Sequence, residues 1–133
     1  MSDLHAFLHP VQGDETKEII ISKRFRDAEG NPVPFKIRAL TQEENEKLSR
    51  QSRRSAKKGA KEFDEIAYTR RIIVAATVEP DFSSEELCKA YGVMDPQDVP
   101  GKMLLAGEYS RLGREIMDLS GFTNSGLEER AKN

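Results

Sequence analysis

Residues 33–39 read Val-Pro-Phe-Lys-Ile-Arg-Ala, apolar at every odd position and polar or proline between. That period of two belongs to a β-strand with one buried face, and a helix cannot satisfy it. A second alternating run precedes it: Ile19, Ile21 and Phe25 share one face, with Ser22 and Arg24 on the other. Between the two runs, Gly30 and Asn31 tolerate a positive φ. The pattern predicts a β-hairpin over residues 17–40, with Pro32 and Pro34 where no ladder N–H is needed. Two strands alone are marginal in water, so the rest of the chain must cover the apolar face.

That remainder reads as helical. Thr41 and Glu44 form a capping box. The helix they open is predicted to run toward Gly59, acidic at its start and basic at its end, which suits the helix dipole. It has only Leu48 and Ala56 to bury. Its second half enters the run Arg50–Lys61, which holds six basic residues and no acidic one. The chain as a whole carries −2, so removing those six cations leaves −8 on the remainder. A nucleic-acid-binding domain usually has an overall basic excess and aromatic residues among its cations, and this stretch has no aromatic. It reads first as a solvated helix end passing into a flexible basic stretch over residues 50–62. A docking surface for an acidic protein and a phosphate-binding arm are the lesser alternatives.

Residues 63–80 are the opposite case. Asp64 caps them, Pro80 ends them, and Phe63, Ile66, Ala67, Ile73, Val74 and Thr77 recur at helical spacing. This should be the central buried helix, although its β-branched run also suits a strand. Further on, Ser83 and Glu86 form a second capping box, and Gly92 stops that helix with Val93 folded back on Cys88. Asp95 and Pro96 open a short turn, with Met94 and Val99 as a hydrophobic staple and Pro100 shortening it. The last helix sets Leu105, Tyr109, Leu112, Ile116 and Leu119 on one stripe, and Gly121 ends it with Phe122 over Met117. The predicted fold is α+β: an N-terminal β-hairpin packed against a mostly helical C-terminal part of about four helices. As one domain it divides into an arm (1–16), the hairpin (17–40), the helical part (41–122) and a frayed tail (123–133).

Of 133 residues, 37% are hydrophobic and 33% charged, a thin core that a partner would complete. A lone cysteine, Cys88, allows no internal disulfide and fits a reducing compartment. The first ten residues lack the layout of a secretory leader, and the apolar run Ile72–Val78 is far too short for a bilayer. The expectation is a cytoplasmic protein with no membrane contact.

The chemistry-bearing residues are few. His5 and His9 lie four apart, but a catalytic zinc site needs three protein ligands and no glutamate base stands between them. Cys88 lacks a base and an orienting group nearby in sequence. The acidic pairs Glu43/Glu44 and Glu85/Glu86 sit at helix starts, where capping explains them. Neither a nucleophile elbow nor a phosphate-cradling glycine loop is present. The sequence predicts no enzyme, no cofactor and no metal. Its candidate contacts are with partners: Leu4, Phe7 and Leu8 on the arm; an exposed edge of the Tyr109, Leu112 and Ile116 stripe; and Arg53, Arg54, Lys57 and Lys58. For the stripe, packing on the hairpin is the stronger alternative.

Four segments in order, Leu-His-Ala-Phe-Leu-His-Pro (4–10), Val-Pro-Phe-Lys-Ile-Arg-Ala-Leu-Thr-Gln-Glu-Glu-Asn (33–45), Tyr-Gly-Val-Met-Asp-Pro (91–96) and Lys-Met-Leu-Leu-Ala-Gly-Glu-Tyr-Ser-Arg-Leu (102–112), carry a resemblance. The chain resembles the XkdN-like tail assembly chaperones of long-tailed phages and of phage-derived elements in bacterial genomes. The resemblance covers nearly the whole chain, weakest around 50–62 and after Phe122. It implies a non-enzymatic protein that binds the tape-measure protein in the host cytoplasm. It also implies help for the major tail protein as it polymerises around that partner. A long helical partner makes helix-in-groove contact the natural mode. The competing class is a small phage nucleic-acid-associated protein using residues 50–61, which salt-dependent binding to duplex DNA would reveal. Self-association is left open.

Overall fold

The computed structural model describes residues 3–11, 15–55, 59 and 61–122. Its architecture is α+β, antiparallel strands followed by a mostly helical part, with six α-helices among the described residues, five of them after the β-hairpin where about four were expected. The alternating runs pair as predicted. Strands β1 (Thr16–Ile19) and β2 (Phe35–Arg38) are antiparallel, with Thr16 opposite Arg38 and Ile19 opposite Phe35. Each is only four residues long. The first run leaves the sheet after Ile19, so Ile21 and Ser22 are buried in the connection and Phe25 stacks against the Phe35 ring at 5.7 Å. The turn forms where Gly30 and Asn31 predicted it. Asp27 Oδ1 accepts from the backbone N–H of Glu29 and Asn31, and Gly30 takes φ +86°. Pro32 sits at an isolated bridge opposite Arg26 and Pro34 just before β2.

The capping box at Thr41 opens α2 (Gln42–Gln51): Glu44 N donates to Thr41 Oγ1, and Thr41 N donates back to Glu44 Oε1. The helix then stops eight residues short of Gly59. Between Leu48 and Ala56 it has nothing apolar to bury, and packing rather than propensity sustains a helix. Ser52 turns inward instead, almost fully buried, and donates its hydroxyl to Leu48 O at 2.7 Å. The basic stretch expected as a helix end and loop holds a small hairpin, β3 (Arg53–Ser55) against β4 (Lys61–Phe63). Arg54 lies opposite Glu62, with the charges 3.7 Å apart, a favourable cross-strand pair.

Asp64 caps α3 (Glu65–Ala76), accepting from Ala67 N at 3.1 Å. Ile72, Ile73 and Ala76 are its buried residues, whereas Ile66 and Phe63 of the predicted stripe remain exposed. The helix does not reach Pro80. Thr77–Glu79 form β5, a third strand paired with β2, and the sheet order is β1-β2-β5. β-Branched Thr77 and Val78, followed by a residue before proline, favour this extended exit. Both readings of the run therefore hold, one after the other.

Next come α4 (Glu85–Ala90), a 3-10 turn (Pro96–Asp98) and α5 (Val99–Met103). Ser84, not Ser83, caps α4. Gly92 ends it at φ +68°, with Val93 N donating to Cys88 O as expected. The staple between Met94 and Val99 does not form: Val99 is buried and Met94 fully exposed. Pro100 sits in the first turn of α5 and divides it from the 3-10 turn, a place where its missing N–H costs nothing. The final helix is α6 (Ala106–Leu119); Gly121 closes it at φ +100° and Phe122 N donates to Met117 O. The core lies between the sheet and α3, α5 and α6, where Ile37, Ile73, Phe82, Val99, Leu112 and Ile116 are fully buried.

Candidate partner-binding surface

The N-terminal arm carries a five-residue helix, α1 (Leu4–Leu8), none of whose residues is buried. Phe7 is 80% exposed, Leu8 63% and Leu4 59%, and Val11 beyond them is almost bare. Single exposed leucines are ordinary on protein surfaces, but a run of four large apolar side chains on one short segment makes the arm a candidate contact surface. His5 and His9 stack on each other at 4.7 Å. Among the described residues no three His, Cys, Asp or Glu side chains converge to hold a metal ion.

The stripe on α6 divides by face. Leu112 and Ile116 point into the core and are fully buried, so packing is the reading that holds for them and they offer a partner no surface. Tyr109 is half-buried and stands where two crevices adjoin, one of about 670 Å³ bounded by α3, the 3-10 turn, α5 and the start of α6, the other of about 300 Å³ between α3 and α6. Burial pushes its phenol pKa up, with the nearby Arg70 charge working against that shift. Sequence reasoning missed the crevices because their walls come from separate elements. The signal available was the row of small residues on α6, Ala106, Ser110 and Gly113, on a different face from its apolar stripe.

Of the basic candidates, Arg53 and Arg54 lie on β3 and are exposed. Lys57 and Lys58 fall outside the described residues. Two cations of the stretch are matched within the chain, Arg50 by Glu46 at 3.3 Å and Arg54 by Glu62 at 3.7 Å. Such pairing lowers the positive field that a phosphate backbone would need.

Two carboxylates fix the frame around these surfaces. Glu44 receives a two-pronged hydrogen bond from Arg38 at 3.1 and 2.6 Å, which with the Thr41 N–H holds its pKa down at about 2. Glu108 is held at about 2 by the Arg24 guanidinium, then by Ser22 and the Leu105 N–H. No helix among the described residues is long and apolar enough to cross a membrane.

Comparison with known proteins points one way. The family model for the phage XkdN-like tail assembly chaperone proteins matches residues 4–132. The chain is 36% identical to the uncharacterized protein YqbN of Bacillus subtilis (strain 168), over 96% of this chain and 92% of that protein. It is 33% identical to the phage-like element PBSX protein XkdN of the same strain, over 96% and 93%. The crystal structure of YqbN superposes with a TM-score of 0.77 at 34% identity, covering 92% of this chain and 99% of that one.

Proposed function

The chain belongs to the phage XkdN-like tail assembly chaperones, and from that membership we propose that it is a non-enzymatic chaperone that binds the tape-measure protein in the host cytoplasm and assists assembly of the tail tube around it. One observation supports the binding role most: the exposed apolar arm, with Phe7, Leu8 and Leu4 presented to solvent on α1. Apolar surface held in water lowers the free energy of any complex that buries it, about 25 cal/mol for each Å² covered. A long, aggregation-prone helical partner offers the complementary apolar face. The major tail protein is the second partner in this reading, received once the first is loaded.

Co-expression with the tape-measure protein of the same element tests this. A soluble long partner that co-elutes with the chain through size exclusion, at low and high salt, is the expected result. Phe7→Asp combined with Leu8→Asp should release it while leaving the melting transition in place, since neither residue belongs to the core. A partner that stays insoluble while the chain elutes alone would refute the chaperone reading.

A further inference from the structure

The two crevices adjoin at Tyr109 and Ser110, which line both, and together they make a trough along one face of α6. Its floor on that helix is Ala106, Tyr109, Ser110, Gly113, Arg114 and Met117, spaced i, i+3, i+4, i+7, i+8 and i+11. At about 1.5 Å per residue this face is about 16 Å long, enough for three turns of a docked helix. Ala106 and Ser110 are small and exposed, which lets a partner backbone approach there, whereas Gly113 is where α3 itself comes close, Ile73 and Thr69 lying at contact distance from its Cβ position. The α3 side is mixed: Ile66, Tyr68 and the edge of buried Ile72 beside Thr69 and Arg70, with Ile66 68% exposed.

Charge identifies the occupant. Arg70, Lys102 and Arg114 line the trough against one carboxylate, Asp98, and that carboxylate lies 3.6 Å from Arg70. Among the described residues the Lys102 and Arg114 side chains form neither salt bridge nor hydrogen bond. Two unmatched cations, Lys102 from α5 and Arg114 from α6 itself, therefore stand among the apolar lining residues Ile66, Ala106, Tyr109 and Met117 on a chain whose net charge is −2. We propose that the α3–α6 trough docks a helical segment of the partner tail protein about three turns long, apolar along one stripe and carrying carboxylates on its flanks. This rests on the chaperone reading and adds to it the chemistry of the segment recognised. Apolar anchors at i, i+3 or i+4, and i+7 would fill the floor. Carboxylates beside them would meet Lys102 and Arg114, which steers encounter and fixes orientation more than it adds affinity.

The test uses the full chain and overlapping short peptides spanning the tape-measure protein, with binding read by fluorescence anisotropy. The peptides bound should be those with an apolar helical stripe flanked by Asp or Glu, and raising the salt should weaken them. Lys102→Glu with Arg114→Glu should weaken them about tenfold. Ser110→Trp should block them with the thermal transition retained. The double charge variant, at exposed positions, decides the matter if Ser110→Trp proves unstable. Equal affinity in wild type and both variants overturns the inference, as does selection of neutral or basic peptides. So does a wild-type dimer that Ser110→Trp alone dissolves, which would give the trough to a second copy of the chain. If the full-length tape-measure protein binds all three forms alike, the trough inference fails and the chaperone reading stands. If it fails to bind wild type, the chaperone reading itself fails.

Discussion

Arg24 Nη2 lies 2.5 Å from Glu108 Oε1 and 3.2 Å from Met103 O, while Glu108 also accepts from Leu105 N at 2.9 Å. One carboxylate thus closes the first turn of α6 and ties the β1–β2 connection to it. Lys17 to Glu115 at 2.9 Å and Arg111 to Ile20 O at 2.8 Å repeat the connection further along the helix. α6 is consequently fastened to the sheet side along one edge, while its other side packs on α3 at Gly113 and leaves the crevices around Tyr109.

The acid limb of stability should report Glu108 and Glu44. Both have folded pKa values near 2, depressed by Arg24 and Arg38 respectively. Depression below the ordinary carboxylate value of about 4.3 means the stabilisation is complete above that value and is lost as pH falls toward 2. Melting temperature measured from neutral pH downward should therefore fall below about pH 5. Glu108→Gln with Glu44→Gln should lower it at pH 7 and flatten the acid decline. Both sites meet solvent, so added salt should shrink the difference.

Gly113→Ala should stabilise the fold by about 0.5–1 kcal/mol, because glycine inside a helix is costly relative to alanine. An added Cβ would meet Ile73 Cδ1 and Thr69 Cγ2 at 3.9 Å, ordinary contact without a clash. Urea denaturation would show a higher midpoint with an unchanged slope.

Two neighbours on α6 should behave differently. Leu112→Ala removes a fully buried side chain and should cost about 2–5 kcal/mol. Tyr109→Ser, at the half-buried junction of the crevices, should cost less stability and more partner affinity. Denaturation curves and the peptide titration, run on both variants, separate the two effects.

Charge reversal at Arg53, Arg54, Lys57 and Lys58 should leave the main thermal transition in place while loosening the β3–β4 pair, because it replaces the Arg54–Glu62 attraction, a surface pair worth up to about 1 kcal/mol, with like charges. Wild type should show no salt-dependent mobility shift with duplex DNA. A shift that steepens at low salt would restore the nucleic-acid alternative for residues 50–61.

What the sequence disclosed was local chemistry. Thr41, Asp64 and Asp95 cap where they were read, and Gly30, Gly92 and Gly121 take the positive φ their turns require. The alternation at Phe35 and Ile37 gave the central strand, since half-burial imposes its period directly. What escaped was short and dependent on distant residues. β5 exists because Thr77 finds Ile37 across forty positions of chain, and three residues are too few for a period. β3 and β4 escaped because Arg54 needed Glu62 opposite it, a pairing hidden inside what looked like one basic run. The trough escaped for the same reason. Helical spacing placed Tyr109 and Leu112 on one stripe, and only the position of α3 decides which of them faces the core.

Ala39 N donates to Glu15 O at 2.7 Å, and the next residue, Leu40, donates its N–H to Ser120 Oγ at 2.9 Å. The described body is therefore entered and left at one corner. Mechanically, tension applied between Glu15 and Ser120 would load those two hydrogen bonds, which meet at the neighbouring residues Ala39 and Leu40, and would act on α6 directly, because Ser120 is also bonded to Ile116 O.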